Sequence, residues 1–332
     1  MNMKRLLYIS FQLLLVLALV LMLTPSDAPA AGKKLILRLG HPAATVDVNH
    51  ISFEAWSKEV AKVSNGNIEV KIFPGSQLGG ELEMVQQVSS GALDMVSTGN
   101  TGYDPLNGFY APYAFTSPNH LHKVLDAKIR DPFFEGFRQK QGLRFLSYFE
   151  RSPRNLTANK AVRTPADMKG LKIRVPQFEA VVNGWKAVGA GVTPLAWPEV
   201  FQALQAGTVD AQENPVELIY SAKLYEVQKF MMTTEHGYPP FFIFINDKVW
   251  GGMTDDQRKV LQETLNDASI QHRARLAKSM DELTATLKAK GMQIVQPDRK
   301  AFREIMWPQA TRPFLVKAWG EDLVKKVEAL AD

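Results

Sequence analysis

The chain has 332 residues, 39 Lys and Arg against 34 Asp and Glu, a formal net charge of +5 and no cysteine. The missing thiols exclude structural disulfides, thiolate metal sites, a cysteine nucleophile and lipid attachment at an N-terminal cysteine. The basic residues are dispersed among acids, with no stripe or aromatic-interleaved run that nucleic acid would require, so no such partner is expected.

Residues 1–30 have the three parts of a secretory signal. Lys4 and Arg5 form a positive start, Leu6 to Leu23 is almost wholly apolar, and Ala28-Pro29-Ala30 offers a small-x-small cleavage site before Ala31. An apolar run of about 18 residues also approaches the length of a membrane span. Here, however, a helix-breaking segment follows at once and no basic stop-transfer cluster does. Residues 1–30 are therefore expected to be a cleaved signal peptide and the protein periplasmic. The remaining chain, about 300 residues, is long enough for two domains.

Leu35 to Leu39 reads as a strand ending at Gly40. An amphipathic helix follows from His50 to Val63, with Ile51, Ala55, Trp56, Val60 and Val63 on one stripe. Asn65-Gly66 turns the chain into Ile68–Phe73, whose alternation indicates a half-buried strand; Leu82–Ser90 is a second helix and Ala92–Thr98 a buried strand. A second series of this kind begins near Arg154. It has strands at 156–159, 171–175 and 209–211, with helices at 178–188 and 199–206. Phe241–Ile245 reads as a strand buried on both faces. Thr254-Asp255-Asp256-Gln257 is a capping box opening a helix to about Lys290. Two α/β lobes crossed by a long helix are the economical reading.

Chemistry is sparse. The histidines are His41, His50, His120, His122, His236 and His272, and none stands at metal-site spacing with another ligand. There is no phosphate-cradling loop and no nucleophile elbow. No cofactor, metal or enzymatic activity is expected. The informative residue is Arg174, inside Leu171-Lys172-Ile173-Arg174-Val175-Pro176. Alternation puts Lys172 and Arg174 on one strand face, and Pro176 places Arg174 near the strand's carboxyl end. Ligands usually bind at that end of open α/β sheets. An arginine there either presents paired N–H donors to a carboxylate or makes a surface salt bridge.

Several blocks resemble the solute-binding proteins of tripartite ATP-independent periplasmic (TRAP) transporters, the DctP-like family. They are Phe73–Gly79, Gly91–Met95, Thr164–Pro176, Trp197–Pro215 and Tyr225–Phe230, in order and with compatible spacing. The resemblance implies a two-lobe, type II-like periplasmic-binding fold with a long helix bracing both lobes. It divides the mature chain into 31–152 with 241–279 (lobe I) and 153–240 with 280–332 (lobe II). It implies capture of a small organic carboxylate and delivery to membrane TRAP permease subunits by a monomer. Presentation to a membrane sensor is the alternative role, and a hydrolase or lyase the remaining one. Arg174 would be the carboxylate anchor and Asn214 a contact to the same end or a loop cap. Arg154 would be a second basic contact or the partner of Glu150 or another acid, and Trp197 an aromatic cover or a core residue. His41, Asn100, Tyr238 and Phe241 are further candidates, each either a pocket contact or a packing residue. Gly99 and Pro42 stand where the sialic-acid-binding branch carries polar residues, so sialic acid is not the expected ligand.

Overall fold

The apolar run near residue 241 sets the first layer. In a computed structural model that describes residues 34–127 and 130–331, it forms strand β10 (Phe241–Asn246), buried throughout. β10 lies antiparallel between β3 (Met95–Thr98) and β4 (Leu143–Phe149). With β1 (Leu35–Gly40) and β2 (Ile68–Phe73) they make a five-stranded sheet of order β2-β1-β3-β10-β4. Phe242 and Phe244 supply rings to the core beneath it, 5.2 Å from Phe134 and 4.9 Å from Phe137. Each such burial contributes roughly 1.5–3 kcal/mol. The signal peptide expected at 1–30 lies outside the described residues.

Helix α1 (Val48–Val63) starts at an Asp47 cap, whose side chain accepts from the Asn49 N–H. Its buried face is rotated from the expected stripe. Phe53, Trp56 and Val60 are buried with Asn49 and Ser52, whereas Ile51 and Val63 are nearly half exposed. The cause is local. Phe53 stacks on Phe149 at 4.5 Å and on His41 at 5.2 Å, and inward-facing Ser52 meets His272 and Arg275. Helix α2 (Glu81–Ser90) follows β2.

The second sheet has order β11-β9-β5-β8-β6-β7. Its strands are β5 (Arg154–Ala158), β6 (Lys172–Val175), β7 (Gly191–Pro194), β8 (Ala211–Pro215), β9 (Phe230–Met232) and β11 (Gln293–Val295). β6 runs parallel to both neighbours, and helix α3 (Glu179–Ala187) follows it. β8 begins at Ala211, where sequence pattern expected a strand to end. The buried polar run Gln212-Glu213-Asn214 hides it from a hydrophobicity reading, because hydrogen bonds rather than apolar contacts satisfy it.

The chain passes between sheets at 150–153 and 233–240. A third link is α4 (Asp255–Ala289), capped by the expected Thr254/Gln257 box and free of Gly and Pro. At 1.5 Å per residue it spans about 52 Å. Its first half bonds to the first layer through Thr264 to Trp56 (3.2 Å) and through His272 to Ser52 (2.9 Å) and the Glu150 carbonyl (2.8 Å). Near its end, Leu287 is buried with Ile219, Met231 and Met292 beside the second sheet. Of the stretch 280–332 expected in lobe II, β11, Phe302 and Met306 do join the second sheet and its core, but the tail beyond them differs. Phe314, Leu315, Trp319, Val324 and Val327 bury in the first sheet's core, where Trp319 lies 5.3 Å from Phe133 and donates to the Pro105 carbonyl at 2.7 Å. Helical periodicity marks an apolar face but not the core that receives it. Among the described residues no helix is long and apolar enough to cross a membrane.

Candidate functional site

Arg174 stands one residue before the end of β6, and its register with Thr193 and Gln212 fixes its height in the sheet. Lys172, on the same face, reaches solvent and lies 3.7 Å from Asp210. Arg174 is only 3 % exposed, which removes the surface-pair alternative. Its Nε and Nη2 donate to the Leu195 carbonyl at 3.1 and 2.6 Å, and the Trp197 ring centroid is 5.9 Å from its guanidinium carbon. Among the described residues it has no ion pair. Burial pulls its pKa down to about 10; Glu213 opposes this and Arg154 adds to it. The side chain stays charged at neutral pH, at a cost on the order of 3 kcal/mol relative to its ordinary value.

Arg154, at the start of β5, is equally buried but paired. Its Nε donates to Glu213 Oε2 at 2.5 Å, and its Nη2 to Oε1 at 2.8 Å and to Asn214 Oδ1 at 3.0 Å. The acid expected for it was Glu150 or another. It is Glu213, while Glu150 meets His122 and Arg273. Burial works against the Glu213 charge, but Arg154 and the His236 hydrogen bond outweigh it and hold the carboxyl at about 2. That carboxylate can only accept, so His236 Nε2 carries the proton in their 2.7 Å bond, and Nδ1 accepts from Thr234. Asn214 Nδ2 donates to Gln212 Oε1 (2.6 Å), Gln212 Nε2 to the Thr157 hydroxyl (2.8 Å), and that hydroxyl to Gln228 Oε1 (3.0 Å). Gln228 Nε2 ends the chain on the carbonyls of Val227 and Asp210.

These elements wall a crevice with two compartments. The inner one takes Arg154, Arg174, Asn214 and Trp197 from the second-sheet side and Phe241 from the first. It is tight, with a cavity of only about 30 Å³. The outer one offers about 570 Å³ to water and shares Glu81, Arg174, Pro176 and Trp197 with it; Asn100 lines it. Five of the eight residues selected from sequence thus meet in the inner compartment and Asn100 in the outer.

His41 and Tyr238 line neither compartment. His41 is fully buried between Phe53 and His50, and burial, reinforced by His50, lowers its pKa to about 3. Tyr238 packs in the first core. Sequence reasoning missed Glu81, Tyr110, Arg151 and Phe178, all on the inner wall. The space beside Gly99 is filled by Tyr110, whose hydroxyl lies 1.7 Å from where a Cβ would stand. Among the described residues, no group of three or more His, Asp or Glu side chains is placed to hold a metal.

A two-lobed α/β molecule that walls a buried, arginine-rich crevice defines a solute-binding protein. The family model described as bacterial extracellular solute-binding protein, family 7 (DctP) matches residues 39–315, so the chain belongs to that family, the solute-binding proteins of TRAP transporters. It is 32 % identical over 299 residues to the 2,3-diketo-L-gulonate-binding periplasmic protein of Escherichia coli, covering 88 % of this chain and 91 % of that one. Its fold matches a TRAP periplasmic solute-binding protein of Roseobacter denitrificans with bound L-galactonate (TM-score 0.82, 32 % identity, 90 % of this chain and 99 % of that one). It also matches one of Sulfurospirillum deleyianum with bound succinate (TM-score 0.82, 26 % identity, 90 % and 99 %).

Proposed function

We propose that the protein captures a small organic carboxylate in the periplasm, after removal of residues 1–30, and delivers it as a monomer to a TRAP permease. The observation that carries this reading is Arg174, a buried guanidinium beside a cavity with no counter-ion among the described residues. A ligand carboxylate supplies the missing charge and accepts a paired N–H contact. Asn214 offers its second amide hydrogen to the same oxygens, Arg154 holds Asn214 in place through its 3.0 Å bond, and Trp197 and Phe241 cover the ligand body. The ligands bound to the Roseobacter and Sulfurospirillum relatives, and that named for the E. coli one, share the carboxylate and differ in the rest.

Capture proceeds by closure. The carboxylate docks on the second-sheet wall, and contacts from Glu81 and Phe241 on the other wall favour the closed arrangement through their differential affinity. Closure excludes water and strengthens each charge-assisted bond. Calorimetry on Arg174→Ala tests the reading. The variant should lose about 2–5 kcal/mol of affinity for the carboxylate that the native protein binds best; unchanged affinity would remove Arg174 as the anchor.

A further inference from the structure

Two inner-wall side chains have bonding capacity that a carboxylate on Arg174 leaves unused. Arg151 is 7 % exposed, and its guanidinium carbon lies 4.2 Å from the Phe241 ring centroid. Glu217 holds Arg151 Nε at ion-pair range, 3.6 Å, but does not accept a hydrogen bond from it. Both Nε and Nη2 of Arg151 are buried and without an acceptor. The side chain lines the inner compartment; buried donors in folded proteins are nearly always satisfied, so a guanidinium with spare donors beside a cavity points to a ligand acceptor there.

Glu81 is the converse. Its Oε1 accepts from the Thr98 hydroxyl (3.0 Å) and from the N–H groups of Gly99 (2.7 Å) and Asn100 (3.2 Å), which fix it on the wall shared by both compartments. Among the described residues Oε2 has no hydrogen-bond partner. A carboxylate oxygen accepts and cannot donate, whereas a guanidinium donates and cannot accept. The ligand group facing Glu81 must therefore carry a proton, and the group facing Arg151 must offer a lone pair. A second carboxylate fails at Glu81, where like charges would meet. An ammonium satisfies Glu81 but fails at Arg151. An alkyl chain satisfies neither. A hydroxyl satisfies both.

We propose that the crevice selects a monocarboxylic acid bearing hydroxyl groups, with its carboxylate on Arg174 and hydroxyls bonded to Glu81 and Arg151, and discriminates against dicarboxylates. This deepens the carboxylate-capture reading and rests on it. Glu81 comes from the first-sheet wall and Arg151 from the crossover between the sheets, so a hydroxylated ligand also ties that wall to the crossover.

Calorimetry with the purified protein tests this on a length-matched panel: D-erythronate and L-threonate, succinate and butyrate, then L-galactonate, L-gulonate, adipate and hexanoate. A hydroxylated monoacid should bind about 10- to 100-fold tighter than the dicarboxylate and plain acid of its length, the range for a hydrogen bond to a charged group. Tighter binding of a dicarboxylate or plain acid overturns this inference and leaves carboxylate capture standing. Binding of none of the eight acids overturns both. Glu81→Gln, whose amide can donate, should shift preference toward the dicarboxylate by about tenfold. Arg151→Lys keeps the charge facing Glu217 and should narrow the gap between hydroxylated and plain acid. Thermal melts establish that each variant is folded. An unchanged preference in both folded variants also overturns the assignment.

Discussion

The second-sheet wall of the crevice holds two arginines of equal burial and opposite circumstance. Arg154 and Arg174 are each 3 % exposed. Arg154 is neutralised in place by Glu213, which raises its pKa against the effect of burial; Arg174 leans on one backbone carbonyl, and burial depresses its pKa. Burial alone therefore does not distinguish a structural arginine from one held ready for a ligand. The distinction lies in whether the fold supplies a counter-ion.

The largest expected effect breaks the paired side. Arg154→Met strands Glu213 as a buried charge and should cost about 3–5 kcal/mol in urea unfolding. Arg174→Met removes a charge with no partner, so the ligand-free protein should be as stable as the native one or more so. Equal losses in the two would abolish the contrast.

Acidification sharpens the comparison from the other direction. Glu213 has its pKa depressed from 4.5 to about 2, so its contribution is intact above pH 4.5 and is lost as pH falls toward 2. His236 and His41 are kept neutral by burial when folded, His41 down to about 3. The unfolded chain takes up their protons near pH 6.5, so stability should start to fall below that value. Urea midpoints measured from pH 7 to 2 should decline throughout, and Glu213→Gln should flatten the limb below pH 4.5. The smallest expected effect is at Gly99. Gly99→Ala must displace buried Tyr110 and its bond to the Pro240 carbonyl, for about 1–3 kcal/mol in the same assay.

Where local pattern carries the information, the sequence was readable. The Phe241 run, the Thr254 capping box and the position of Arg174 near the end of its strand need only neighbours in the chain. The site's other half was not readable in that way. Glu81 opens α2, and nothing in Gly80-Glu81-Leu82 distinguishes it from any acid at a helix start. Only the meeting of two sheets puts it opposite Arg174, 93 residues away. Arg151 lies in an irregular crossover, where no periodicity tells which way it points. The last helices, from Arg312 onward, bury in the first core and not in the expected second one for a related reason, since an apolar face does not name its partner.

The amide chain behind the crevice has a direction. Gln228 gives its N–H groups to two main-chain carbonyls, so its oxygen must face Thr157. That hydroxyl then donates outward and accepts from Gln212, whose own oxygen must face Asn214. Two carbonyls at the far end of the relay thus decide which way the Asn214 amide is turned. No link can reverse alone without setting donor against donor. A ligand meets Asn214 with its polarity already chosen, and what is left to it there is a hydrogen to accept.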